Sequence, residues 1–381
     1  MQLAGMPLAM VAGEASGDLL AGLLLGGLHE RWPALQTVGI GGPQMAAQGF
    51  QAWWPHHKLA VNGYVDALRH LREIYGIRNA LAERLLHQRP LGFVGIDAPD
   101  FNLGLELKLR RAGIRTIHFV CPSIWAWRGS RVEKIARSCD HVLCLFPFEP
   151  ELLARSGVGA TFVGHPLADV IPLEVPRAAS REALGLPDDA GVVALLPGSR
   201  VGELHRIAPP FLQAAGLLQR SRPTLRFVLP AADGQRALVE ALWREHAPAL
   251  SLQVLDGRSH EALAACDATL IASGTATLEA ALFKRPMVIG YRMHGFSWML
   301  MKRMSYQPWV GLPNILCRAS VVPELLQDDC EPQALKRALA QQLDDTAAAQ
   351  RLGERFTELH LLLQRDTARL ATDAIAQVLQ A

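Results

Sequence analysis

Two segments of this chain carry the residue types that hold a phosphate: Leu196-Pro197-Gly198-Ser199-Arg200 and Ala272-Ser273-Gly274-Thr275-Ala276-Thr277-Leu278-Glu279. In the first, Gly198 frees backbone N–H groups, Ser199 adds a hydroxyl and Arg200 a guanidinium. That set suits a diphosphate whose charge grows as it departs, so Arg200 is assigned to the leaving group. In the second, Ser273 and Thr275 flank Gly274 and can either cap a helix or bind phosphate. Glu279 falls about one turn after Thr275 on the same helix face, where a carboxylate can hold two ribose hydroxyls. A capping box needs Ser or Thr three residues before the Glu; Ala276 stands there, so Glu279 lacks that structural explanation.

A third constellation, Gly95-Ile96-Asp97-Ala98-Pro99-Asp100-Phe101-Asn102, ends an apolar run with two carboxylates on a proline-stiffened loop. A general base would sit at such a place. Asp97 is nearest the end of the run, whereas Asp100 can instead cap a helix over Leu103 to Arg111. Gly13-Glu14-Ala15-Ser16-Gly17-Asp18 lets a ligand approach N–H groups at a helix start, although a tight turn capped by Ser16 or Asp18 explains it equally well. No complete GxGxxG is present there, which disfavours a dinucleotide fold of the dehydrogenase kind. His56, His57, His118 and His165 show no metal-ligand spacing, and neither a dedicated metal nor a cofactor is expected. Cysteines 121, 139, 144, 266, 317 and 330 form no CxxC pair and read as reduced core thiols, which suggests a reducing compartment.

The elements that must position these groups are legible as two alternating series. Leu8 to Ala12, Thr37 to Ile40, Gly92 to Ile96, Thr116 to Val120, His141 to Leu145 and Thr161 to Val163 read as buried strands separated by helices, hence a parallel sheet. Ile171-Pro172-Leu173-Glu174-Val175-Pro176 opposes both helix and central strand and reads as a linker. A second series runs through Val192 to Leu196, Leu225 to Leu229, Leu252 to Val254, Ala268 to Ala272 and Met287 to Gly290. Both phosphate-ready turns then lie at the carboxyl edge of a parallel sheet, where open α/β sheets bind ligands. From Pro332 the pattern is helical only. The expected fold class is therefore α/β with two Rossmann-like doubly wound domains, over residues 1–170 and 188–345. A helical tail at 346–381 packs back on the first domain or on a partner subunit.

At 381 residues, half of them hydrophobic, the chain can bury two cores. A net charge of +2 without a long block of one sign disfavours nucleic acid as a partner. Met1 to Ala12 lacks basic residues and is followed at once by Glu14 and Asp18, so neither a signal peptide nor a spanning helix fits, and a cytoplasmic location is expected. Trp53, Trp54, Trp125, Trp127, Trp298 and Trp309 lie mostly near cations, as apolar rings do at a membrane interface. Residues 293–304 are the clearest case. Trp125, Trp127, Phe296, Trp298 and Met301 are taken as membrane-contact candidates, against the alternative of a domain-closing core helix.

Taken together, AGEASGD at 12–18, GIDAPDFN at 95–102, PSIWAWR at 122–128, GHPLAD at 164–169, LPGSR at 196–200, SGTATLEAAL at 273–282 and LPN at 312–314 resemble the lipid-A-disaccharide synthase family. These are glycosyltransferases of the two-Rossmann-domain (GT-B) type, family 19. Two departures are small: Cys121 before Pro122 and Gly311 before LPN stand where serine is the commoner residue. The resemblance implies transfer of a sugar from UDP-2,3-diacylglucosamine to the 6-hydroxyl of 2,3-diacylglucosamine 1-phosphate, giving a β-1,6 disaccharide and UDP. It implies Asp97 as the base, and Glu14, Ser16, Arg200, Glu279 and Asn314 as substrate or nucleotide contacts. Gly198, Ser199, Ser273, Gly274 and Thr275 join them from the turn chemistry above. It further implies peripheral contact with the cytoplasmic face of the inner membrane, and a homodimer in which the helical tail is exchanged. The rival readings are a UDP-GlcNAc 2-epimerase or a transferase with a polyprenyl-linked acceptor on the same architecture, and, from another class, a non-catalytic lipid- or nucleotide-binding protein.

Overall fold

The computed structural model describes residues 5–55, 59, 64–125, 129–295, 298–299 and 306–380, apart from the side chains of Ala15 and residues 64–71. The chain divides into two compact units, residues 1–169 with 363–381, and residues 170–362.

The first unit holds seven parallel strands: β1 (Leu8–Ala12), β2 (Thr37–Gly41), β3 (Gln51–Pro55), β4 (Gly92–Ile96), β5 (Thr116–Phe119), β6 (His141–Cys144) and β7 (Gly159–Phe162), in the order β3-β2-β1-β4-β5-β6-β7. β1 and β4 are buried at every position, as expected of central strands covered by helices on both faces. The strand order reverses between β1 and β4, whose register pairs Ala12 with Ile96. Gly13 and Asp97, the next residues, therefore leave the sheet side by side at the switch point.

The second unit repeats the plan with β8 (Val192–Leu196), β9 (Arg226–Ala231), β10 (Leu252–Asp256), β11 (Ala268–Ile271), β12 (Met287–Tyr291) and β13 (Glu324–Leu326), ordered β10-β9-β8-β11-β12-β13. Its switch point lies between β8 and β11, where the Ala272 amide donates to the Leu196 carbonyl at 2.8 Å. A fully buried Arg181 ties this unit's edge together, donating to the carbonyls of Ala265, Pro187, Asp188 and Ala190 and to the Asp267 carboxylate.

Helices Pro332–Asp344, Thr346–Leu363 and Thr367–Gln380 close the chain. The last packs on helix Ala15–Arg31 of the first unit, so closely that a Cβ on Gly27 would lie 2.8 Å from Ala368. Its start is held by Asp169, whose carboxylate accepts from the amides of Arg365, Asp366 and Thr367 at 2.7–3.2 Å. The GHPLAD segment is thus an anchor for the terminal helix: His165 N–H donates to Leu363, and Gly164, at φ +86, leaves no room for a side chain beside Leu363 and Arg365. None of the described helices is long and apolar enough to cross a membrane.

Candidate active site

In the first unit the two loops of the switch point touch. Gly13 has space for no side chain larger than its own hydrogen without pressing Ala98, whose Cβ would lie 3.1 Å away. Asp97 and Ala98 both take left-handed backbone, φ 50 and 41, before helix Pro99–Arg111 begins. Two successive non-glycine residues in that region are strained, and such strain is retained where a side chain must be aimed. The turn is held from beneath by Asn102, fully buried, whose Nδ2 donates to the Asp97 carbonyl at 2.8 Å and lies within 3.4 Å of the Ile96 and Val11 carbonyls. The Asp97 amide in turn donates to Phe119 at the end of β5. Asp97 is half-buried, while Asp100, exposed, pairs with Arg131 at 2.5 Å. That ion pair occupies Asp100, and no side-chain cap bond is formed at this helix start.

On the β1 side, Glu14 occupies the cap position of helix Ala15–Arg31 and is half-buried, and Ser16 is exposed in the first turn. Asp18 turns inward instead. Its buried carboxylate accepts from the amides of Gly42, Gln44 and Met45 and so caps the short helix Pro43–Ala47.

In the second unit, Gly198 follows β8 at φ +116, a conformation open to glycine, and a Cβ there would meet the Glu203 carboxylate at 2.7 Å. Ser199 and Arg200 are exposed before helix Val201–Ser221, and the Arg200 guanidinium stands 3.7 Å from Glu203. After β11, Gly274 at φ +148 and Thr275 open helix Thr275–Leu282 with Thr275 exposed. The Ser273 hydroxyl is spent differently from either expectation: it donates to the Val310 carbonyl at 2.9 Å. Glu279, with 19% of its side chain exposed, lies 3.2 Å from His260 Nε2, on helix Ser259–Ala265. No sequence motif marks His260, because its contact with Glu279 spans two helices.

The Asn314 side chain is turned into its own unit. It is fully buried; its Nδ2 donates to Val322 and Glu324, and its Oδ1 accepts from Val321 and Val322. The hydrogen-bonding capacity of the side-chain amide is used in full, and it shapes the 310–324 turn. Glu324 extends the same network by accepting from the amides of Val310 and Gly311, and Val310 then receives Ser273.

Of the membrane-contact candidates, Trp125 packs into the first unit, its indole N–H donating to buried Glu149 at 3.0 Å and its ring set edge-on to Phe146 and Phe148. The indole is thereby half-buried within the first unit. Trp298 is half-buried beside Met299, which is 47% exposed. Trp127, Phe296 and Met301 lie outside the described residues, as do His56 and His57. Cys121, Cys144 and Glu149 gather their ligating atoms within 4.8 Å of one another, all buried. Both Glu149 oxygens already accept, from Trp125 and from the Phe146 amide, and the Cys144 thiol is pushed up, first by its hydrogen bond with Cys121 and then by burial.

A family model described as lipid-A-disaccharide synthetase matches residues 8–377. Among curated proteins, the chain is 59% identical over 380 residues to a lipid-A-disaccharide synthase of Albidiferax ferrireducens, covering 98% of each chain. It is 55% identical to the one from Burkholderia pseudomallei, over 99% of this chain and 98% of that one. Among solved structures it is similar to a UDP-GlcNAc 2-epimerase from Neisseria meningitidis bound to UDP-GlcNAc (TM-score 0.66, 12% identity, 98% of this chain and 100% of that one). It is also similar to MurG of Acinetobacter baumannii (TM-score 0.59, 15% identity, the same coverage). These two likenesses concern the fold, which is GT-B.

Proposed function

The chain belongs to the lipid-A-disaccharide synthase family, and from that premise we propose how its two switch points divide the reaction. The protein is an inverting glycosyltransferase that joins UDP-2,3-diacylglucosamine to 2,3-diacylglucosamine 1-phosphate, forming the β-1,6-linked disaccharide 1-phosphate and UDP. The identity of 59% along nearly the full length of a relative carries this reading.

The donor nucleotide is assigned to the second unit. The diphosphate faces Gly198, Ser199, Arg200 and the start of helix Thr275–Leu282, where Gly274 and Thr275 and the backbone of Ser273 can approach it while the Ser273 hydroxyl holds Val310, and Glu279 receives the ribose hydroxyls. What supports this is that both turns leave the sheet at its switch point and keep Ser199, Arg200 and Thr275 exposed. Glu14, Ser16 and Asp97 of the first unit face the acceptor. Asp97 takes the proton of the 6-hydroxyl, whose oxygen bonds to the anomeric carbon as the bond to the UDP oxygen breaks on the opposite face. One displacement converts the α-linked donor into the β product through an oxocarbenium-like state. The leaving diphosphate keeps the electron pair, and Arg200 and the helix N–H groups receive its growing charge.

Both substrates are lipids, so peripheral attachment to the cytoplasmic face of the inner membrane is part of the proposal; the family resemblance adds a homodimer in which helix Thr367–Gln380 would take, on the partner, the seat it takes here on helix Ala15–Arg31 of its own chain. The experiment is mass spectrometry of products after incubation with both diacylated sugars. A disaccharide 1-phosphate together with UDP is expected. Conversion of water-soluble UDP-N-acetylglucosamine without an acceptor would replace this reading with the epimerase.

A further inference from the structure

Beneath the Asp97 turn lies a buried ion pair that no step above uses. Glu106 and His118 are both fully buried, and Glu106 Oε1 stands 2.7 Å from His118 Nδ1. Glu106 comes from helix Pro99–Arg111, the helix that starts at the Asp97 turn, and His118 from β5, the strand whose Phe119 carbonyl receives the Asp97 amide. β4 accommodates the carboxylate only because residue 95 is glycine: a Cβ there would lie 2.2 Å from Glu106 Oε1. Glu106 Oε2, His118 Nε2 and Asn102 Oδ1 are buried without hydrogen-bond partners, a costly arrangement in an apolar layer. Well-packed hydrophobic residues would serve stability at least as well as such a pair.

We propose that the Glu106–His118 pair is a positioning and charge-balancing device for Asp97, so that His118 and Glu106 support the proposed base without touching substrate. The inference rests on the reading of Asp97 as base. Burial would lower the pKa of the imidazole, but Glu106 first, and Asp97 after it, outweigh burial, and the ring holds its proton to higher pH than a free imidazole. The attraction is mutual, so the imidazolium favours the carboxylate form of Asp97, the form able to take a proton. Other groups around the pair contribute little net charge. Arg110 on the same helix is bonded to Asp140 at 2.9 Å, and the Cys139 thiol facing Glu106 is pushed well up by burial and remains neutral.

The test uses the full-length enzyme with both diacylated sugars. His118→Gln and Glu106→Gln are expected to lower kcat about tenfold with KM within about twofold, and to move the acid limb of the kcat/KM profile up by about one pH unit. Asp97→Asn is expected to lose at least about 100-fold, and His118→Gln to add less than about twofold in that background. NMR titration of the His118 ring nitrogens should give a lower midpoint in Asp97→Asn than in the parent, a readout that survives even if the two buried variants fail to fold. With Asp97→Asn inactive, an unmoved midpoint, or an unmoved acid limb in folded variants, overturns the positioning role and leaves the base in place. Full turnover in Asp97→Asn removes the base and this inference with it.

Discussion

Arg200 is the residue proposed to stabilise the leaving group, because its guanidinium stands at the β8 switch-point turn with 53% of its side chain exposed. Arg200→Ala is expected to lower kcat on the order of 100-fold, as removal of one charged transition-state donor does, and a steady-state rate within threefold of the parent would strike it from the scheme. Asp100 makes the useful contrast with Asp97: its ion pair with Arg131 predicts that Asp100→Asn keeps the rate within about threefold, since exposed pairs contribute little. Glu149 predicts a pH effect on stability. Burial raises its pKa from 4.5 to about 8, against the opposing hydrogen bonds from Phe146 and Trp125. Between those pH values the folded chain binds a proton that the unfolded chain releases, so stability falls as pH rises through the window, by at most about 1.4 kcal/mol per pH unit. Glu149→Gln should flatten that slope in urea midpoints measured from pH 5 to 8; an unchanged slope would assign it to other groups.

At the scale of elements, the terminal helix is the clearest case of a segment held by a distant cap. Asp169 receives three amides at the start of Thr367–Gln380, almost two hundred residues along the chain. Loss of a capping carboxylate costs about 1–2 kcal/mol, so Asp169→Ala should lower the Tm and raise amide exchange in residues 367–380 ahead of the sheet. Uniform exchange across the first unit would contradict that order. Central strands β1, β4, β8 and β11 were legible from apolar runs because both faces are covered. The edge strands β3 and β13 were not: Gln51–Pro55 is exposed or half-buried throughout and ends in proline, and Glu324–Leu326 has three residues, too short for a periodic signal.

At the scale of the whole molecule, the lipid substrates require a surface that meets the bilayer, and the 293–304 segment is proposed for it. Paired Trp298→Ser and Met301→Ser substitutions should reduce co-sedimentation with anionic vesicles while the melting transition stays in place, since each methylene withdrawn from lipid loses about 0.8 kcal/mol. Unchanged sedimentation would return the segment to the protein core. The sequence by itself determined the parallel two-sheet plan, the turns after β8 and β11, the Asp97 loop and the family, because apolar period, glycine placement and local motifs are properties of neighbouring residues. Only the tertiary structure decided which polar groups remain available to a ligand. Asp18, Asp100, Ser273 and Asn314 are engaged by partners from other elements, His260 is brought to Glu279, and Glu106 is closed on His118 beneath the Asp97 turn. Each outcome depends on side chains meeting across strands and helices, and the chain's local order does not encode that distance.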